Sequence, residues 1–462
     1  MARERNEQFE ALLKEAGWSR AQAASAFIRV ASENNLTDYT HIARQHVQHW
    51  VAGHEPSGQA PIIMCEALSR RLRRVVTTSE AGFTASNSPA QGALDWRIDP
   101  LIALNDLGST DLDPDRRSLL RGGVYSAAAL ALPAESWWVE MAKEPPSAER
   151  KDTQRVGRGD VESVREMTLA FSRMDQQRGG GHGRTALVEY LRSDVARYLV
   201  GQFPDGVVRR DMYSAAAEGA YLSGWMAFDN GEHDIAQPYF ALGLKLAARA
   251  GDAPLSGHIL RAMAHQTLDL GLYNKALELS TASIAGHRYE AATPRERALL
   301  GVVHARCLAA TGANRLAAKT LVRAEDDLRS AHDGIKEPSR TFFFGEASLA
   351  HETACTLRDL DDRKGAINQF GRSVRTRGVA FKRTHAVTLG YLGATQISVG
   401  NVEEACTTWS RVLDAMEEGV YSGRARQRVV EMRQLLSPYR RRGIPAAVEL
   451  ETRAADYLRT VD

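Results

Sequence analysis

Apolar residues recur along this chain three and four positions apart, the period of a helix with one buried face. In the first 82 residues the stripes are short. Phe9, Leu12, Leu13 and Ala16 predict a helix from about Asn6 to Ala16, ended by Gly17. Ala23, Ala26, Phe27 and Val30 predict a second, with Ser19 placed to cap it. Val47, Trp50 and Val51 predict a third over Arg44–Gly53, stopped by Gly53 with Pro56 outside it. Ile62, Ile63, Cys65, Leu68 and Leu72 predict a fourth over Pro61–Arg74.

The pattern weakens over residues 83–155, where a small, polar run from Thr84 is followed by a moderately apolar piece, Leu94–Leu107, and an acidic turn at Asp111, Asp113 and Asp115. This stretch reads as a linker with partial helix, with Trp137-Trp138 either its anchor to the next domain or ordinary packing aromatics. Residues 156–462 then carry continuous helix signal. Asp160 is placed to cap Val161–Arg178, and Arg184–Val200 follows. Gly179-Gly180-Gly181-His182-Gly183-Arg184 lies between them. It lacks the Gly-Lys-Ser/Thr of a phosphate loop and has no strand before it, so it reads as a flexible helix–helix turn.

After Asp211 one pattern repeats five times. A small residue stands seven before a Gly or Asp, an Ala five after it, and often a bulky residue four later. The copies are Gly224/Gly231/Ala236/Phe240, Ala264/Gly271/Ala276/Ser280, Ala305/Gly312/Ala317/Leu321, Ala354/Asp361/Ala366/Phe370 and Gly393/Gly400/Ala405/Trp409. Small residues let antiparallel helices approach, the Gly or Asp makes the turn, and the bulky residue fills the gap to the next pair. The turns are about forty apart with one longer gap between 312 and 361, against about 34 in tetratricopeptide repeats. The region resembles a divergent tetratricopeptide array. By its register Glu218, Tyr221, Trp225, His258, Arg261, His265, Arg306 and His351 point to a concave inner face. Aromatics beside Arg and His suit a peptide, a small-molecule ligand or a protein partner for the groove as a whole, whereas each residue taken singly fits surface or inter-repeat packing better. Arg424–Leu458 is expected to cap the array or to form a dimer surface.

The third helix also has a distinctive polar face. Arg44, Gln45, His46, Gln48 and His49 stand opposite its apolar stripe, and none is acidic. Gln bonds bidentately to adenine and Arg to guanine, whereas an acid repels phosphate. An ordinary amphipathic surface helix is the alternative. Arg70 and Arg71, in the run that ends the fourth helix, are candidate phosphate clamps, or solvated arginines answering the helix dipole.

Three runs together carry a resemblance: Gly17-Trp18-Ser19-Arg20-Ala21-Gln22-Ala23-Ala24, His49-Trp50-Val51-Ala52-Gly53-His54-Glu55-Pro56 and Ala67-Leu68-Ser69-Arg70-Arg71-Leu72. They resemble the Cro/C1-type (Xre-like) helix-turn-helix domain, most of all the version in regulators of filamentous actinobacteria. The resemblance covers residues 1–82. It implies that the helix ending Trp-x-x-Gly lies in the major groove, with Trp50 in the core. The link from about Ala31 to Thr40 is longer than the turn of a simple helix-turn-helix. With a repeat array behind it, the architecture resembles ligand- or peptide-responsive regulators, including quorum-sensing ones, and implies control of development or secondary metabolism.

Composition limits these readings. Across 462 residues the net charge is +2, so binding to double-stranded DNA has to come from a local patch. The four cysteines lack metal spacing and fit buried thiols in a reducing cytoplasm. The charged N-terminus lacks an apolar signal core, and the most apolar run, roughly Val124 to Pro133, is too short to span a bilayer. Dispersed histidines and the absence of HExxH or GxSxG point away from an enzyme, and no cofactor is expected. The expectation is therefore an all-α chain: a helix-turn-helix bundle at 1–82, a linker at 83–155 and an α-solenoid at 156–462. It would act as a homodimeric, cytoplasmic transcription regulator. The other reading is a protein-interaction scaffold whose helical head does not bind DNA.

Overall fold

The computed structural model describes residues 5–33, 36–72, 76, 78–83, 89–113, 125–126, 130–143, 154–332 and 334–461. Among these, every regular element is helical, and one isolated bridge joins Arg155 to Gln202. No described helix is long and apolar enough to cross a membrane.

The head contains α1 (Glu7–Glu15), α2 (Arg20–Glu33), α3 (Arg44–Val51) and α4 (Ala60–Leu72). Its stripes converge as the periodicity requires. Phe9, Phe27 and Val47 are fully buried, and the Trp50 ring packs 5.6 Å from Phe27 and 6.4 Å from Phe9. Asn6 caps α1 by accepting the Phe9 N–H, and its amide donates to the carbonyls of Ala81 and Gly82. Both ends of the head are thereby tied together. Ser19 and Gln22 form a reciprocal capping pair at the start of α2. The described part of the long link before α3 contains a 3-10 turn, Thr37–Tyr39, and the Tyr39 hydroxyl accepts the N–H of Gln59.

The stretch read as a linker is docked. It contributes α5 (Pro89–Leu94), α6 (Pro100–Leu112) and α7 (Glu135–Lys143). Ala93, Leu101, Leu104 and Leu107 share one continuous core with the repeats. Asp111, expected in an acidic turn, is buried at the end of α6, where it pairs with Arg184 at 2.7 Å and accepts from the Tyr239 hydroxyl. Trp137 packs edge-on to Trp96, and the Arg288 guanidinium lies 4.5 Å from the Trp138 ring centre. Asp115 lies outside the described residues.

The body begins with α8 (Arg158–Arg178), α9 (Arg184–Tyr190), a π-turn (Leu191–Val195) and α10 (Ala196–Leu199). Asp160 is not the N-cap of α8. Gly157 holds that position, and Asp160 reaches back to accept its N–H. Antiparallel pairs follow: α11 (Gly206–Asp229) with α12 (His233–Ala250), and α13 (Ala253–Asp269) with α14 (Tyr273–Ser283). After the short α15 (His287–Glu290) come α16 (Pro294–Ala310) with α17 (Asn314–Arg329), α18 (Glu346–Asp359) with α19 (Arg363–Thr376), and α20 (Lys382–Ser398) with α21 (Val402–Glu417). A sixth pair, α22 (Gly423–Arg441) with α23 (Pro445–Val461), closes the array.

The repeat pattern maps onto this architecture at single residues. Gly231, Gly271, Gly312 and Gly400 have φ between +74° and +88°, and Asp361 has φ +64°. Asp361 is the only non-glycine among the described residues with a positive φ, and Asp is one of the few residues that tolerate it. The small–bulky partnership is more local than expected. Phe240 and Trp409 pack against Gly224 and Gly393 of their own hairpins, where a Cβ would come within 2.8 Å and 2.5 Å of those rings. These two rings seal their hairpins from within, whereas Phe370 of the fourth copy stacks on Tyr391 of the next pair, their ring centres 6.2 Å apart.

The array curls far enough that α20, in the fifth pair, packs on α8. The glycine-rich loop sits at this seam and is not a flexible turn. A Cβ on Gly179 would lie 2.2 Å from the Tyr421 carbonyl oxygen, and one on Gly180 would lie 2.1 Å from that of Met226. Only glycine lets three backbone segments meet there.

Candidate functional site

Two regions carry the residues singled out by the sequence. On α3, Arg44, Gln45, Gln48 and His49 are exposed, while Val47, Trp50 and Val51 are buried beneath them. The helix therefore presents one polar, acid-free face. His46 is half-buried and committed locally: its Nδ1 accepts the Ala43 N–H, capping the helix. That removes one ring nitrogen from any base contact. The His49 ring lies 5.3 Å from that of His54.

The two candidate phosphate clamps on α4 have structural duties. Arg70 pairs at 2.7 Å with Glu66, a buried acid. Arg71 Nε donates to the Ala16 carbonyl at the end of α1. Arg73 and Arg74 lie outside the described residues. Glu66 also receives the Ser126 hydroxyl, and Ser126 exchanges two backbone hydrogen bonds with the Gln237 amide of α12. A polar chain therefore runs from the base of the head into the body.

The eight residues assigned to a concave groove do converge on the inner face of the array, and all eight are buried. The groove is closed. The longer gap between the third and fourth repeat turns supplies the filling, a segment with a 3-10 turn at Ser339–Thr341. Its Arg340 lies 2.7 Å from Glu296, 3.2 Å from Glu218 and 3.9 Å from Asp252. Phe343 faces His258, and Phe344 is buried in the shared core.

Across the centre, Arg383 of α20 bridges Asp229 at 3.0 Å and Asp175 at 3.1 Å. The Tyr221 hydroxyl accepts from Arg261, whose guanidinium lies 5.2 Å from the Trp225 ring centre. Arg306 meets Asp269 at 3.3 Å and Glu352 at 3.5 Å.

The voids left inside hold about 30 Å³ beside Glu218, Tyr221 and Trp225, and about 60 Å³ beside Arg261, His265 and His351. That is room for a few waters and not for a peptide. The inner histidines add no positive charge. Burial, reinforced by neighbouring arginines, drives His258, His265 and His351 well below their ordinary pKa. Burial likewise holds both Glu218 and Glu296 above the usual carboxylate range, outweighing Arg340.

Open space lies instead at one mouth of the ring, in a cavity of about 1000 Å³. Of the eight groove candidates only Arg306 reaches it. Its other arginines, Arg358, Arg424, Arg426 and Arg428, were not singled out by the sequence reading. Their one signal there is that Arg424, Arg426 and Arg428 crowd the start of a single helix.

The four cysteines are buried, as small apolar thiols would be. Burial pushes the thiols of Cys307 and Cys355 up to about 11, so neither is a ready nucleophile.

Among known families, residues 9–84 match the SP15 N-terminal domain, a span that coincides with the head. No curated protein matches the chain.

Proposed function

We propose that this chain is a DNA-binding transcription regulator whose head lays α3 in the major groove and whose helical body senses a ligand or partner. One observation carries the reading: Arg44, Gln45, Gln48 and His49 stand exposed and free of acids on a helix anchored by Val47, Trp50 and Val51. Those side-chain types read base edges, and an anchored helix holds them in a fixed register. As a two-fold dimer the regulator would read half-sites about 10 base pairs apart or a multiple of that. The hydrogen-bonded path Glu66–Ser126–Gln237 offers a physical route from body to head. The resemblance noted for residues 1–82 implies a cytoplasmic regulator in control of development or secondary metabolism.

The deciding experiment maps genomic DNA retained by the full chain, then measures affinity for the recovered site over a salt series. Gln45→Ala and His49→Ala should each cost about 1–3 kcal/mol at the true site and little on random duplex. Absence of salt-sensitive retention on any duplex would sink the reading. The second reading, a protein-interaction scaffold, is favoured by one observation: Arg70 and Arg71 are occupied inside the head. In that case the chain would retain protein partners and no DNA.

A further inference from the structure

The mouth cavity is built from parts that are distant in sequence. Asn230 and Gly231 of the first repeat turn, Leu268–Leu270 of the second, Ala309 and Ala310 of the third and Arg358 and Asp359 of the fourth form one wall. Tyr421–Arg428, at the start of α22, closes the other. A volume of about 1000 Å³ stands at the upper end of the range for small-molecule sites, about 300–1,000 Å³.

The lining is strongly unbalanced in charge: five arginines against two acids, Asp269 and Asp359. Both acids are shared. Asp269 lies 3.3 Å from Arg306 and 3.6 Å from Arg424. Asp359 lies 2.7 Å from Arg358 and 3.9 Å from Arg306. Behind the lining, Glu431 pairs with Arg428 at 2.7 Å and Glu352 with Arg306 at 3.5 Å. These ion pairs hold the guanidinium groups of Arg306, Arg358, Arg424 and Arg428 in place along the wall of the cavity.

Three of the arginines are also held in place by rings that do not neutralise them. The guanidinium carbons of Arg358 and Arg428 lie 5.2 Å and 4.9 Å from the centre of the Tyr391 ring, and that of Arg424 lies 5.0 Å from Phe228. Aromatic rings fix the guanidinium plane and keep its charge. Tyr273 and Tyr421, both about half exposed, flank the opening.

We propose that this cavity binds a small molecule carrying two or more phosphate groups. Several guanidinium groups approaching from different directions match the tetrahedral array of oxygens on a phosphate, and a second phosphate engages arginines that one could not reach across so wide a space. The exposed tyrosines at the rim suit a planar portion of the same molecule. Because its walls come from both ends of the array, the ligand would bridge the ring at its seam. The site would supply the sensing step of the regulator reading, yet it is tested without DNA, so each idea fails or stands separately.

The test is calorimetric titration of the full chain with inorganic pyrophosphate, adenosine diphosphate and citrate. The proposal expects saturable binding of the two phosphate compounds and markedly weaker binding of citrate, which offers only carboxylates. Arg358→Gln and Arg428→Gln should each weaken pyrophosphate binding about tenfold or more, the usual effect of removing one charge-assisted contact. Hydrogen exchange of the unaltered chain provides a check that needs no variant. Pyrophosphate should slow exchange at residues 420–428 and 306–310 and leave α3 unchanged. Failure of pyrophosphate to bind, equal binding of citrate, full retention of affinity in both variants, or protection elsewhere would each overturn it.

Discussion

Arg340 grips Glu296 from 44 residues away, its Nε 2.7 Å from one carboxylate oxygen and its Nη2 3.3 Å from the other. The pair is buried, and the same guanidinium reaches Glu218 on the opposite side of the groove. One arginine from an inserted segment thus neutralises two acids of the inner face. Arg340→Ala would leave both uncompensated and should cost about 3–5 kcal/mol, the range for breaking a buried pair. Both carboxyls already titrate above their ordinary range because burial outweighs Arg340. Without it they should take up protons more readily, so the loss should be smaller at acidic than at alkaline pH. Denaturant unfolding at the two extremes checks this, and a loss independent of pH would contradict it.

Two glycines should respond to alanine very differently. Gly231 has φ +80°, and an added Cβ there would meet nothing within 4 Å, so Gly231→Ala faces only backbone strain, about 1–2 kcal/mol. A Cβ on Gly180 would lie 2.1 Å from the Met226 carbonyl oxygen. Backbone must move there, and the cost should exceed about 3 kcal/mol, the mark of disrupted packing. Thermal unfolding of the two variants side by side decides the order.

Asp175 gives a pH dependence with a definite sign. Burial pushes its carboxyl up to about 7, against the pull of Arg383, from an ordinary 3.8. Between those values the folded chain holds a proton that the unfolded chain has released. The stability this group contributes is therefore complete below the unfolded value and is lost as the pH rises to about 7. Asp175→Asn cannot titrate, so its stability relative to the unaltered chain should improve over that interval and stay level above it. Urea midpoints measured at several pH values test it. A difference that stays constant, or that shrinks with pH, would refute the assignment.

The exposed and the engaged arginines of the head should also separate. Arg44→Ala should leave stability nearly unchanged and lower the salt slope of DNA binding by about one. Arg71→Ala removes the donor to the Ala16 carbonyl and should cost about 1 kcal/mol of stability. Its effect on the salt slope should be small. Parallel unfolding and salt titrations distinguish the two, and an unchanged slope in Arg44→Ala would remove that residue from the phosphate-facing set.

The features legible along the chain are local ones. The head stripes were legible because helical periodicity decides which side chains share a face, and Phe9, Phe27, Val47 and Trp50 do meet in one core. The repeat turns were legible to the residue because a positive φ demands Gly or a rare Asp, whatever surrounds it. Even the inward register of Trp225, His258 and Arg261 followed from counting along the repeats.

The tertiary structure alone decided what that inner face became. The curvature of an array is the sum of small rotations between successive pairs, which no single repeat encodes. That sum brings α20 onto α8, buries the inner face and sends Arg340 into the groove. The gap before residue 361 announced an insertion without saying where it would go. The arginines of the mouth come from residues 306 to 428, and only the closing of the ring sets them around one space.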